Sequence, residues 1–455
     1  MLSAAKLAVL IVLNYFISQC QSKINEKQHY LVSNYLEVVQ ITDATSNTTS
    51  FLIQNNDFSN NMAYRHRLPS HKLYWHLFSG AAAFVPNLNS NILFERLIYS
   101  LQQGKGAHAC PSKSFILFTQ WDKNWTAPIG PSKILNVQEN GGSLYLDDFG
   151  GRSRVVEGPE DARTIHVIKS DEIHINFNAL TPVSDRQMFR QTVKFSESNS
   201  ELNYQKIGPL VQFEHESQYR AKVEKNWTPI LIKEELHYIY SLNPLRILKC
   251  EENKIISRYY RNRRNTENVL PNKKVCKVQF NGLPVNRGMQ TGLLRGGTNW
   301  VEHSPGIFFS FARSRCDHRK CSKSIYRPHL IVMKFKINES TGFYSDPRII
   351  FVSSPITEFD DLLFGFHAAK GLSSGNKCDD NGILTPGSIS NWSRDSDIAD
   401  VIISVNDDVN ILLQIKGIDR TIQDILDSSD GSLLSDSELI INAENQMRSF
   451  VQNNF

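Results

Sequence analysis

Beyond its N-terminal leader region, no stretch of the sequence is long and apolar enough to cross a bilayer, which takes ~20 consecutive apolar residues. Charge of one sign is scarce too. Fifty Lys and Arg against 46 Asp and Glu leave a formal net charge of +4 over 455 residues, too little to argue for a nucleic-acid partner. No glycine-rich phosphate loop follows any strand-like run, and no strand–helix alternation appears, so a Rossmann-type nucleotide domain is not expected. No convincing Asp-x-Asp element is present. The expectation is therefore a metal-independent site with no cofactor. "CDHRKC" (316–321) could be half a zinc site, but no second Cys/His pair stands at zinc spacing.

With 40% hydrophobic residues the chain has ample material for a large core. It opens on "MLSAAKLAVLIVLNYFISQCQS": one Lys, an apolar run from Leu7 to Ile17 interrupted by Asn14, then small residues. That is the three-part pattern of a secretory signal, expected to be cleaved after Cys20 or Ser22 rather than kept as an anchor. Removing Cys20 leaves six cysteines, an even number that suits disulfides in an oxidising compartment. The short-range pairs Cys250–Cys276 and Cys316–Cys321 are the simplest guesses. Acceptor sequons at Asn47, Asn124, Asn226, Asn338 and Asn391 agree with the secretory pathway, either its endoplasmic reticulum or Golgi lumen or secretion.

The expected organisation is a signal peptide over 1–22 and a polar extension over 23–65 containing one short strand. A β domain over 66–430 and a C-terminal helix over 431–455 complete it. Short runs rich in Ile, Val, Phe and Tyr, such as "SFILFTQW", "SLYLDDF", "EIHINFNAL", "ELHYIYSL", "HLIVMKFKI" and "DVIISV", are separated by Gly, Pro, Asn and Asp. More than a dozen of them fit an all-β propeller better than a single sandwich. Three helices are expected. "NILFERLIYSLQQ" (91–103) has helical spacing, and "IDRTIQDILD" and "SDSELIINAENQMRSFV" lie near the end, the last opened by Ser435 with Glu438 three residues on, as in a capping box. "RYYRNRRNTEN" (258–268) is basic without periodicity, a solvated loop that also resembles a processing-protease site between Cys250 and Cys276.

"EGPEDARTI" (157–165) is the sharpest local feature: a Gly-Pro turn, then Glu160, Asp161 and Arg163 entering a β run. One carboxylate could move a proton there while a guanidinium holds an anion; a surface turn with an Arg–acid pair is the plain alternative. Like charge on Glu160 and Asp161 is expected to strain the pair.

The series that follows, "EIHINFNAL" with Asn178, "EKNWTPI", "ELHYIYSLNP", "RGGTNW" and "SVNDDVN", resembles the five-bladed β-propeller β-mannoside phosphorylases and the β-mannosyltransferases related to them. The resemblance implies a five-bladed propeller with a short N-terminal extension and C-terminal helices, acting on a sugar donor (a sugar nucleotide or sugar phosphate) and a glycan acceptor. It makes Asp161 the acid/base and places Glu160, Arg163, Asn178, Lys225, Asn226 and Arg313 in the pocket. It further implies that Arg295 holds phosphate or diphosphate and that Asp407 binds sugar hydroxyls. Ala162 stands where the family carries Pro, and Arg313 where such enzymes carry a His after a strand. Asn226 is thus expected to bind sugar rather than carry a glycan, unlike Asn124 in the look-alike "WDKNWTAPI", a likeness that could mark a blade-level repeat.

Three readings follow. The leader favours an inverting glycosyltransferase of the secretory pathway that forms β-mannosidic linkages. A phosphorylase or hydrolase on the same scaffold is the second; a hydrolase needs another carboxylate, nominally Glu234, Glu302 or Asp360. The third is a silent, glycan-binding propeller.

Overall fold

A computed structural model describes residues 36–45, 74–100, 114–137, 158–181, 184–198, 201–215, 224–251, 260–261, 267–268, 272–282, 294–321, 324–358, 360–369, 371–372, 375, 377–380, 382–428 and 435–455. The leader, Cys20, Asn47, Cys110, "SLYLDDF" and most of the basic loop lie outside them. The protein is mostly β. Tyr74–Val85, Ser90–Ser100, Ser114–Asp122 and Pro128–Ile134 form a four-stranded antiparallel sheet. A second sheet has nine strands in two leaves, Glu160–Val167 to Val211–His215 and Thr228–Ile232 to Asn272–Asn281. These join through a parallel pairing of Val211–His215 with Asn272–Asn281. A five-stranded sheet spans Leu294–Arg295 to Tyr344–Val352. In the last sheet Glu37–Asp43 pairs antiparallel with Val409–Lys416, beside Ile398–Val405 and Leu384–Ser393. Glu37–Asp43 thus joins a sheet otherwise built from the far end of the sequence.

Apolar side chains fill the space between successive sheets. Phe94, Phe118 and Phe177 pack between the first sheet and the first leaf, and Phe213, Trp227 and Tyr238 between the two leaves. Ile230, Phe308 and Met333 lie between the second leaf and the five-stranded sheet, and Phe309, Leu330 and Val401 between that sheet and the last. Ala82, Leu93, Trp125, Ile402 and Leu412 join the last sheet to the first. The contacts are closest where glycine permits them: a Cβ on Gly387 would stand 1.8 Å from the Gly80 carbonyl oxygen.

Two expectations are corrected. Residues 91–100 belong to the strand Ser90–Ser100, not to a helix. Ile92 and Phe94 face one core and Leu93 the other, so a strand buried on both faces shows an unbroken apolar run in place of period-2 alternation. The expected Cys316–Cys321 pair does not form. Cys321 bonds Cys378, which arrives on the short helix Lys377–Asp380, and Cys316 has no disulfide partner among the described residues. Cys250–Cys276 does form, between residues directly opposed on neighbouring strands. The two terminal helices are present as Ile418–Ser428 and Asp436–Asn454, the latter with its Ser435/Glu438 capping box complete. Among the described residues no helix is long and apolar enough to cross a membrane.

Candidate active site

Asp161 enters its strand in the left-handed region, φ +51°, and the pairing with Glu172–Thr181 skips between Glu160 and Arg163. A bulge of this kind re-aims a side chain. A second bulge faces it on Tyr74–Val85, between Phe78 and Ala81, where Ser79 also has a positive φ of 52°. The two meet: Ser79 Oγ donates to Asp161 Oδ1 at 3.2 Å. The last sheet braces the bulge, since Ser79 N donates to Ser404 Oγ (3.1 Å) and Gly80 N to Asn410 Oδ1 (2.8 Å). A non-glycine residue held left-handed costs roughly 1–2 kcal/mol, and such strain gathers at functional sites.

The adjacent acids divide their roles through their partners. Glu160 is buried and clamped by two guanidinium groups, Arg96 Nη2 at 2.8 Å and Arg186 Nη1 at 2.6 Å. Asp161 has only Ser79 and a longer contact of 3.6 Å to Arg96 Nη1, and keeps access to solvent. Burial pushes the Asp161 carboxyl up, but Arg96, Arg313, Arg163 and Lys225 outweigh it and hold the group well below the usual carboxylate range. The expected strain between Glu160 and Asp161 is therefore not what governs the pair. Asn178 serves the clamp, donating to the Glu160 carbonyl (3.2 Å) and accepting from Arg186 Nη1 (3.1 Å).

Arg163 is 2% exposed. Its Nη1 donates to its neighbour's carbonyl, on Ala162, at 2.7 Å, while its buried Nε and Nη2 have no hydrogen-bond partner among the described residues. Burial, helped by Arg313 and opposed by Asp161, lowers its pKa to about 10. Arg313, on Ile307–Cys316, donates through Nη2 to Asn226 Oδ1, and its buried Nε is unpartnered. Asn226 itself is left-handed (φ +64°). Lys225 beside it has its ammonium pKa lowered by burial, opposed by Asp161 and assisted by Arg313 and Arg186. Arg295 lies directly across the ladder from Arg313, and burial lowers its pKa, with Arg313 and Arg315 adding to the effect.

The two glycines after Arg295 explain how these segments come together. A Cβ on Gly296 would sit 2.6 Å from Thr228 Cγ2 and 3.0 Å from the Asn226 carbonyl oxygen, and one on Gly297 would sit 2.2 Å from the Phe311 oxygen. Arg-Gly-Gly is thus the shape needed to lay Arg295 between the Lys-Asn-Trp segment and the Arg313 strand. Asp407 lies in the left-handed turn Asn406–Asp407 (φ +55° and +58°), which joins the strands whose Ser404 and Asn410 brace Ser79 and Gly80.

The structure brings Asp161, Arg163, Lys225, Asn226 and Arg313 into one neighbourhood, with Arg295 linked to it through Arg313. Sequence reasoning missed Arg96, Arg186 and Ser79. A Glu95-Arg96 pair in the middle of an apolar run was the available signal, because buried charges need partners: Glu95 accepts from Asn410 Nδ2 (2.8 Å), and Arg96 reaches both acids. The carboxylates named for a hydrolase are engaged elsewhere. Asp360 binds Arg327 (2.8 Å), Glu302 accepts from Tyr344 Oη (2.7 Å), and Glu234 sits in an exposed hairpin turn.

The profile of the β-mannosyltransferases matches residues 183–454, which include Lys225, Asn226, Arg295, Arg313 and Asp407 and begin just after Asp161. The chain is similar to Beta-mannosyltransferase 3 of Komagataella phaffii, 27% identical over 387 residues that cover 77% of this chain and 56% of that protein. It is likewise similar to Beta-mannosyltransferase 6 of Candida albicans, 22% identical with 81% and 63% covered. The chain thus spans between half and two thirds of the length of these relatives. A solved structure of a GDP-Man-dependent mannosyltransferase from Leishmania mexicana overlays with a TM-score of 0.37 at 11% identity, covering 79% of this chain and 94% of that one. The profile match takes in more than half of the sequence, and with it Arg186, Lys225, Asn226 and Arg313; the chain belongs to the β-mannosyltransferase family.

Proposed function

We propose that this protein transfers mannose from a nucleotide-activated donor to a hydroxyl of a mannoside acceptor, with inversion, to form a β-mannosidic linkage. One observation carries the reading. Five cationic side chains (Arg96, Arg163, Arg186, Lys225, Arg313), with Arg295 joined to them through Arg313, surround two carboxylates, of which Glu160 is consumed by its clamp and Asp161 is left available. Such an excess of positive charge, with buried donors on Arg163 and Arg313 left unpaired, suits a diphosphate leaving group.

In the reaction, Asp161 takes the proton of the acceptor hydroxyl as its oxygen bonds to C1 of the donor mannose. The C1–O bond to phosphate breaks, and the diphosphate departs with the electron pair toward Arg163 and Arg313. An aspartate held ionised by cations is a weak base while the site is empty. The arriving diphosphate offsets those cations and restores basicity when it is needed. No step calls on a metal, and Arg295 and Asp407 serve as phosphate and hydroxyl contacts.

The same reading takes the sheets as five blades, with the two leaves of the nine-stranded sheet counted separately and Glu37–Asp43 completing the last. It is supported by the antiparallel order within each sheet and by cores lying between successive sheets, from the last back to the first. It also places the protein in the lumen of the secretory pathway, supported by the two disulfides.

The test is a donor screen with purified protein: GDP-mannose, other sugar nucleotides and mannose 1-phosphate, each with simple mannosides, the anomer read by NMR. A β-linked product from a sugar nucleotide is expected. Turnover confined to mannose 1-phosphate, or mere donor hydrolysis, would overturn the reading.

A further inference from the structure

A second polar cluster stands beside the site and takes no part in the scheme above. His76 lies on Tyr74–Val85, two residues before Phe78, and the two share a face of that strand. Opposite them are Ile98 and Arg96, and the Arg96 guanidinium lies over the Phe78 ring (5.1 Å) on its way to Asp161. Two strand residues span about 6.6 Å, so His76 is placed roughly that far along from the Arg96–Phe78 pair, on the face that carries Arg96 to the base.

The His76 Nε2 atom is buried and has no hydrogen-bond partner among the described residues. The ring lies within the electrostatic reach of Asp408, and burial keeps it neutral. Asp408 follows Asp407 in the turn between Ile398–Val405 and Val409–Lys416, and its Oδ2 lies 3.3 Å from Nε2 of His367. His367, 2% exposed, is on the helix Asp360–Ala369, which thereby adjoins that turn. Asn406 fixes the turn from its other side, accepting from Ile383 N (3.0 Å) and donating to the Asp380 carbonyl (2.5 Å).

A neutral imidazole nitrogen without a partner, a carboxylate held by one histidine, and a rigid turn make a set of neutral and anionic hydrogen-bonding groups. The donor end of the site is the opposite: guanidinium and ammonium groups throughout. Anionic phosphate has no reason to approach Asp408, whereas a sugar diol can donate to the carboxylate and exchange a hydrogen bond with the imidazole. Among the described residues no group of His, Cys, Asp or Glu is arranged to hold a metal ion, so these three do not converge on a cation.

We propose that His76 and Asp408, with Asp408 oriented by His367, form the subsite that binds hydroxyls of the acceptor glycan, beside the carboxylate that deprotonates it. The proposal rests on the transferase reading but assigns residues which that reading leaves out. The orientation suits it: acceptor on the side of the last sheet and its helix, donor phosphates on the side of Arg163, Lys225 and Arg313.

The test separates acceptor from donor. His76→Gln, His76→Ala and Asp408→Asn are assayed for KM of a mannobioside acceptor, KM of the sugar-nucleotide donor and thermal midpoint. Acceptor binding to the catalytically silent Asp161→Asn protein, with and without the second substitution, is followed by saturation-transfer NMR. The expectation is an acceptor KM and Kd raised roughly ten- to a hundredfold, the loss of a hydrogen bond to a charged group, with donor KM within about twofold. His367→Asn should give a smaller acceptor effect of the same kind. A donor KM that rises in parallel, or an unchanged acceptor Kd in folded variants, overturns the proposal. If the wild-type protein binds the mannobioside yet shows no transfer from any donor, the reaction assigned above fails while the subsite stands.

Discussion

Two segments of this chain carry almost the same letters, "WDKNWTAPI" at 121–129 and "EKNWTPI" at 224–230, and fold to different ends. In the first, the chain turns from Ser114–Asp122 into Pro128–Ile134, the left-handed residue is Trp125 (φ +59°), and Asn124 points into solvent. In the second, the left-handed residue is Asn226, its amide oxygen accepts from Arg313, and its carbonyl meets Gly296. The positive φ thus falls one residue apart relative to the shared letters, which argues against a repeated structural unit. Each Trp is buried, in a different core. What separates the two is their surroundings: one faces water, the other a cluster of arginines from another sheet.

On the proposed mechanism chemistry belongs with the second segment, and Asp161 sets its scale. Asp161→Asn keeps size and hydrogen bonding but removes the base, so turnover should fall about 10²- to 10⁴-fold while donor KM changes little. Near-normal turnover of that variant would refute the mechanism. The folded carboxyl is held below its unfolded pKa, so its stabilising contribution is present above ~3.9 and is lost as pH falls further. Asp161→Asn should therefore be less stable than wild type at neutral pH, and the two should converge in acid. Denaturant midpoints taken at several pH values check this.

Glycines sharpen the contrast. Gly130, at the first segment, has φ +72° and open space around its Cβ direction, so Gly130→Ala should cost only about 1 kcal/mol of backbone strain. A Cβ on Gly297 would collide with the Phe311 carbonyl oxygen, and relief requires moving a ladder strand. Gly297→Ala should cost about 1–3 kcal/mol and reduce turnover as well, since the strand that must move carries Arg313. Equal losses in the two variants would break the comparison.

The sequence made one part of this site readable and hid the rest, for a physical reason. Motifs local in the chain, such as Gly-Pro-Glu-Asp, Lys-Asn-Trp and Arg-Gly-Gly, could be read because turns and close approaches dictate residue type locally. The clamp on Glu160 could not, because it depends on Arg96 and Arg186 arriving from two other strands. The error at 91–103 compounded this: taken as a helix, the segment gives Arg96 no reason to face Asp161. Arg313 was legible as a pocket residue that departs from the family pattern, but not its links to Asn226, Arg163, Arg295 and Asp161, which depend on other sheets. The strand content and the two terminal helices were legible because period and capping are local too. The cystine at Cys321 was misread because Cys378 lies far along the sequence and reaches it only through the fold.

A subtler contrast lies in pH dependence. Burial raises the Asp161 pKa but four cations, Lys225 among them, lower it further, so in the empty enzyme the group stays ionised through the ordinary carboxylate range. The acid limb of kcat/KM, which reports the free enzyme, should accordingly lie lower than the acid limb of kcat, which reports the donor complex with its cations offset. Lys225→Gln should move the kcat/KM limb upward, by up to about one pH unit for a single partly solvated charge. Lys123→Gln, its counterpart in the first segment, should leave both limbs in place. Initial-rate profiles carried from pH 8 as far into acid as the protein stays folded decide between these outcomes.

The smallest effect expected is on glycan occupancy. Both segments present Asn-Trp-Thr, but a glycan needs an acceptor amide that reaches solvent. Asn124 is exposed in its turn, as are Asn338 and Asn391, so all three suit occupancy. Asn226 is half-buried, with its amide oxygen held by Arg313, and an attached sugar would displace that guanidinium from the Asp161 neighbourhood. Peptide mapping of secreted material should find Asn226 unmodified. Asn124→Gln, even where it removes a glycan, should leave turnover within about twofold of wild type, as expected of a surface change away from the site. Asn226→Ala, which carries no glycan to lose, should still lower turnover, because Arg313 loses the oxygen that positions it. A glycan found on Asn226 in active protein would take that residue out of the pocket and return the two segments to equivalence.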